Sequence, residues 1–144
     1  MAEGIMRQRM KSVGLTGHLD SCGFESFHVG DAPDSRAIQV ARKHGVDITS
    51  HRARLFETAD FDQFDHILVM DAGHYRNVTR RARSEADRNK VMYVLDLIYP
   101  GQHREVMDPW YHDIQAFETV FHQLDEACRQ LAFQLKTTRQ HDPY

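Results

Sequence analysis

Cysteine is scarce in this chain. Cys22 and Cys128 are the only two among 144 residues, and without Cys-x-x-Cys spacing they indicate neither a zinc knuckle nor a disulfide framework. No apolar stretch is long enough to span a bilayer. The N-terminus is amphipathic where a signal peptide would carry an apolar block, so a cytoplasmic location is expected and no membrane partner. A large excess of charge is missing too: the formal net charge is −3, which gives no global attraction to nucleic acid or to an anionic surface. The basic run from Arg76 to Lys90 is broken by Glu85 and Asp87 and lacks interleaved aromatics, so it reads as a solvated helical face and not as a nucleic-acid patch. No Gly-x-Ser-x-Gly elbow, Walker loop or dinucleotide fingerprint occurs. The ten histidines include no HExxH pair, and His18, Asp20 and Cys22 lack metal-ligand spacing, so neither a metal nor a cofactor is expected. What is present is ordinary for one globular domain with a real core: 41% hydrophobic and 27% charged residues.

Helix and strand signals alternate along the chain. The first residues already carry a helical stripe, Ala2, Ile5, Met6, Met10 and Val13, with Gly14 as its stop, yet no Ser, Thr or Asp precedes them as a cap. A short strand is expected around Leu19. The stretch "DAPDSRAIQVARKHG" reads as a helix with Pro33 in its first turn, Ala37, Ile38 and Ala41 on its apolar face, and Gly45 at its end. His66 to Met70 is apolar with little alternation, as in a strand covered on both faces, and Val91 to Leu95 offers another. Phe117, Val120, Phe121, Leu124, Ala127, Leu131 and Leu135 form one long stripe behind Asp113, its expected cap. The expectation is an α/β domain, residues 1–136, with helices on both faces of a parallel sheet, followed by a polar tail, residues 137–144.

One stretch stands out chemically. In "EVMDPWYHD", Pro109 biases Asp108 away from helical angles and stiffens the loop, so a carboxylate can be held outward beside two flat aromatic walls, Trp110 and Tyr111. A general acid facing an aromatic substrate has this form. A proline turn whose two aromatics pack on the domain has it equally.

"MAEGIM", "DSCGF", "FHVGDAPDSRAIQVARKHGVDITSHRAR", "FDQFDHILVMD" and "DPWYHDIQAFETVFHQLDEACRQL", in this order and spacing, resemble the low-molecular-weight protein tyrosine phosphatases over essentially the whole chain. The resemblance implies a three-layer fold with a four-stranded parallel sheet. Its substrates would be phosphotyrosine-containing proteins or aryl phosphates, and the reaction would run through a cysteinyl phosphate without a cofactor. Asp108 would match the family's general acid, Trp110, Tyr111 and Phe27 the walls around the substrate ring, and Ser21 and His51 the polar residues that brace the catalytic loop. Cys22 stands where a small residue is usual, and Trp110 where Tyr is commoner.

Family members begin with a buried strand and a loop of Cys, five residues, Arg, Ser or Thr, then Pro, followed directly by a sequence like "MAEG". Neither cysteine here fits that loop, because the residue six positions after Cys22 is His28 and six after Cys128 is Gln134. The expectation is therefore a family member without its first strand and nucleophile, inactive as it stands. Met1 would be an internal methionine of a longer reading frame, or the chain a truncated pseudophosphatase that binds partners. The absent strand would lie between the segment around Leu19 and His66–Met70, leaving open strand edges through which copies self-associate. An arsenate reductase on the same scaffold would need the loop cysteine and further redox cysteines, which are not seen.

Overall fold

The computed structural model describes residues 1–141, and no helix among them is long and apolar enough to cross a membrane. Helix α1, Ala2–Ser12, buries Gly4, Ile5, Met6 and Met10 and has no side-chain cap at its start. Helix α2, Ser35–Lys43, is capped by Asp34, whose carboxylate accepts from the Arg36 amide, so Pro33 precedes the cap and does not lie in the first turn as expected. It ends in a Schellman motif: the amide of Val46 donates to Ala41 at 2.8 Å and that of Gly45 to Arg42 at 3.0 Å. Gly45 takes φ +79° there, a left-handed angle that a Cβ would make costly. Strand β1, Ile67–Val69, follows the short helix α3, Asp60–Gln63, and β2, Val91–Tyr93, follows α4, Ala72–Arg80, and α5, Glu85–Arg88. Helix α6 runs Ile114–His141 behind Asp113, whose carboxylate accepts from the amides of Gln115 at 3.1 Å and Ala116 at 3.4 Å. The polar stretch expected from residue 137 is thus helical as far as His141, and residues 142–144 lie outside the described residues.

β1 and β2 pair in parallel, Ile67 opposite Val91 and Val69 opposite Tyr93. Alternation along the two strands divides the interior into two cores. Ile67, Val69, Val91 and Tyr93 join Phe56, Phe61 and Val78 on one side, where α4 lies against the sheet. Leu68, Met70 and Met92 face the larger core built by α1, α2 and α6. Helices therefore flank both faces, as the apolar run His66–Met70 led us to expect.

The sheet itself is smaller than expected. Among the described residues it has two strands, not four. Residues around Leu19 form no ladder; their only sheet-like contact comes later, at an isolated bridge between Gly23 and Leu55, after which the chain winds into a 3-10 turn at Ser26–His28. The second strand stops at Tyr93, because Val94–Leu97 also winds into a 3-10 turn. Asp96 in that turn accepts from the His103 amide at 2.8 Å, so the chain is closed into a loop where a strand would need to continue. The charged run after Arg76 ends α4 and forms α5, and Arg83 within it joins Asp62 at 2.6 Å and Asp87 at 2.9 Å.

α1 sits close to the segment after α2. A Cβ on Gly4 would lie 2.6 Å from Ile48 Cγ2 and 3.0 Å from Val46 Cγ1. Both neighbours are buried, so neither side chain has room to swing away. Gly4→Val is expected to destabilise the domain by about 1–3 kcal/mol through overpacking, read as a fall in Tm of roughly 3–10 °C. An unchanged melting curve would show that α1 does not approach Val46 and Ile48 this closely.

Candidate active site

The loop from Gln102 to Asp113 is fastened at both ends. At its start, beyond the carboxyl end of β1, the Val106 amide donates to the Met70 carbonyl at 2.8 Å and Glu105 accepts from the Ala72 amide at 2.9 Å. The carboxyl ends of parallel strands are where open α/β sheets bind ligands. At its far end Arg36 of α2 donates to the carbonyls of Trp110 at 2.9 Å and His112 at 2.6 Å. The same guanidinium pairs with Asp34 at 2.9 Å and lies 4.5 Å over the Phe117 ring. Those hydrogen bonds from Arg36 hold the Asp34 carboxyl below its usual range.

Between these anchors Asp108 is exposed, and its Oδ1 accepts from the Trp110 amide at 3.0 Å. This is a local Asx-type turn across Pro109, which explains why the motif has a defined shape without burial. Oδ2 has no hydrogen-bond partner among the described residues. Trp110 is 50% and Tyr111 91% exposed, so neither ring is spent on the core, as a purely structural proline turn would require. The Trp110 ring lies 6.1 Å from that of His28, which brings the 3-10 turn at Ser26–His28 opposite the acid loop. Phe27 belongs to that turn; its side chain lies outside the described part of the structure.

Ser21 and His51 meet elsewhere, at the start of α1. The Ser21 hydroxyl donates to Glu3 Oε1 at 3.1 Å and lies 3.5 Å from His51 Nε2, while His51 Nδ1 is 3.8 Å from Glu3 Oε2. They edge a cleft of about 50 Å³ that also touches Met1, Gly4 and Pro33. A helix start offers unpaired amides and the positive end of the dipole, an environment that favours anions. Pro33 edges this cleft and Arg36, three residues on, grips the acid loop, so the first turn of α2 links the two groups.

Sequence reasoning missed Arg36 and Glu3. Arg36 acts on backbone carbonyls, which carry no residue identity and leave no pattern to read. Glu3 had a signal, an acidic residue in the first turn of α1. The grouping of His18, Asp20 and Cys22 disperses: His18 stacks on Phe64 at 5.2 Å, and Asp20 accepts from Arg54 at 2.8 Å.

Neither cysteine resembles a poised nucleophile. Cys22 is exposed, yet desolvation of its thiol outweighs the opposing Arg54 charge and pushes it up to about 11. Cys128 is buried in the main core, with its thiol 3.8 Å from the Ala2 carbonyl, and burial pushes it up to about 12. A reactive cysteine needs the opposite shift.

The profile of the family described as low molecular weight phosphotyrosine protein phosphatase matches residues 1–141. The low molecular weight phosphotyrosine protein phosphatase of Schizosaccharomyces pombe is 37% identical over 127 residues, covering 86% of this chain and 80% of that protein. Among solved structures, a protein tyrosine phosphatase from Entamoeba histolytica with Hepes in its active site superposes with a TM-score of 0.87 at 29% identity, covering 96% of this chain and 88% of that one. Vibrio vulnificus Wzb in complex with benzylphosphonate gives 0.81 at 26% identity, covering 92% and 87%. With a family match over residues 1–141 and a relative 37% identical across 86% of its length, this chain belongs to the low molecular weight phosphotyrosine protein phosphatase family.

Proposed function

We propose that these residues form the acid and recognition side of a phosphotyrosine phosphatase site, with Asp108 as general acid and Trp110, Tyr111 and Phe27 as walls for the substrate ring. The observation that carries this reading is the acid loop. Asp108 is exposed beside two exposed aromatics, on a loop that Arg36 and the carboxyl end of β1 hold from both sides. Benzylphosphonate in the Vibrio vulnificus neighbour is an aryl group one carbon from a phosphorus oxyanion, the shape this pairing would accept.

In the proposed reaction a cysteine thiolate attacks phosphorus, the P–O bond to the phenol breaks, and Asp108 passes its proton to the departing phenolate oxygen. Water then attacks the cysteinyl phosphate, its proton going to the Asp108 carboxylate, and the S–P bond breaks to release inorganic phosphate. Ser21 and His51, with Glu3, brace the phosphate loop. Neither Cys22 nor Cys128 fits the part of that nucleophile, since neither is followed six positions later by Arg and both thiols are pushed up, not down. Free thiols at both cysteines suit a reducing cytoplasmic setting. The same reading includes self-association through the outer edges of β1 and β2, which have no ladder partner among the described residues.

The test is to join a family-type strand and Cys-x5-Arg-Ser-Pro loop ahead of Met1. The joined protein should hydrolyse p-nitrophenyl phosphate and phosphotyrosine peptides and leave phosphoserine peptides intact, and light scattering should show it monomeric where the unjoined chain associates. A folded joined protein without turnover would favour a module that binds phosphorylated partners. An unjoined chain that stays monomeric removes the edge-pairing part.

A further inference from the structure

The end of α2 opposite Arg36 meets α6 in a second cluster of chemistry-bearing side chains. His44 is the residue that closes α2, and its ring stacks on the buried Phe121 with centroids 4.4 Å apart. Its Nε2 is 2.9 Å from Glu118 Oε2. His122 lies four residues after Glu118, on the same face of α6, and its Nε2 is 3.5 Å from that same oxygen. The other carboxylate oxygen, Oε1, accepts from Lys43 Nζ at 2.7 Å. Among the described residues this is the one set of three His, Cys or carboxylate ligand atoms found within 4.8 Å of one another. A cavity of about 270 Å³, bounded by His44, His122, Arg9 and Asp125, opens beside it.

We propose that His44, Glu118 and His122 bind one transition-metal ion of the zinc class, clamping the end of α2 to α6. Two imidazoles and a carboxylate are a donor set that zinc takes in open sites, with water completing the tetrahedron. Bonds of about 2.0–2.1 Å place tetrahedral ligand atoms about 3.3 Å apart, and the 2.9 and 3.5 Å separations here lie on either side of that value. Both imidazole nitrogens already converge on one oxygen, and the three ligand atoms lie within 4.8 Å of one another, so a small adjustment of the exposed His122 side chain completes the set around an ion. The supports that orient metal ligands are also in place: Phe121 fixes the His44 ring and Lys43 holds the far oxygen of Glu118. Imidazole donors favour zinc over magnesium, and the cavity has room for the one remaining water ligand.

Isothermal titration of the full chain with zinc chloride at pH 7.5 should show one tight ion per chain, and magnesium chloride none. At a hundredfold excess over Kd the metal should raise Tm by about 5 °C or more. His122 is well exposed, with 64% of its side chain accessible, so His122→Gln should melt like the parent without metal and lose both the stoichiometric ion and the shift. Cobalt(II) provides a second measurement: the parent should develop the visible absorption of a tetrahedral site, and His44→Gln should abolish it. A parent chain that takes up no stoichiometric zinc overturns the proposal. So does a His122→Gln chain that binds zinc as the parent does, because the ion would then sit on other histidines.

Discussion

Purified on its own, the 144-residue chain is expected to hydrolyse p-nitrophenyl phosphate no faster than buffer does. Covalent phosphatase chemistry needs a thiolate in contact with a phosphate cradle. With thiols pushed up to about 11 and about 12, Cys22 and Cys128 are ionised at pH 7 to only about one part in 10⁴ and 10⁵. Placement agrees with ionisation. Cys128 lies in the core, and Asp20 and Asp60, both held by Arg54, are carboxylates close enough to Cys22 to disfavour its thiolate and repel a phosphate dianion. Turnover that disappeared in Cys22→Ser would overturn this reading by making Cys22 the nucleophile. Turnover that survived Cys22→Ser and Cys128→Ser together would remove cysteine chemistry altogether.

In the joined, active protein, Asp108→Asn is expected to lower kcat/KM for phenyl phosphate, which reports the steps through release of the phenol, by roughly two to four decades, the usual contribution of a positioned acid. The leaving group makes the test specific. p-Nitrophenolate departs readily without a proton, so its loss should be much the smaller, whereas a merely misfolded variant would lose both substrates alike. Arg36→Ala tests the loop's anchorage: with the carbonyls of Trp110 and His112 released, kcat should fall by about ten- to a hundredfold, since small misplacements of a reacting group are costly. Trp110 is the only tryptophan, so acrylamide quenching of its fluorescence should increase in the same variant, a change that general destabilisation of the core would not confine to this loop. Equal losses for both leaving groups in Asp108→Asn would remove it from the acid's role.

How far the chain could be read from its sequence depends on the range of the forces involved. Helices carry their signals within a few residues. The Asp113 cap, the Gly45 stop and the Phe117–Leu135 stripe all lie within the segments they organise, and each has its expected place in the structure. The turn at Asp108 is local for the same reason, closing over two residues around Pro109. The family could also be read, because several such local motifs recur in a fixed order.

Sheet extent could not be read that way, since a strand exists only where a partner lies alongside it. The segment around Leu19 and the residues after Tyr93 have the composition of strands and no ladder. Long-range polar contacts were equally hidden. Arg36 recognises carbonyls 74 and 76 residues away, and His44 comes onto the face of Glu118 and His122 only when α2 crosses α6. Sequence by itself determined which segments coil, where they stop and which chemistry each carries, because those choices are made by neighbours along the chain. The tertiary structure alone decided which strands pair, what holds the acid loop and which histidines converge, because those contacts join residues that the sequence keeps far apart.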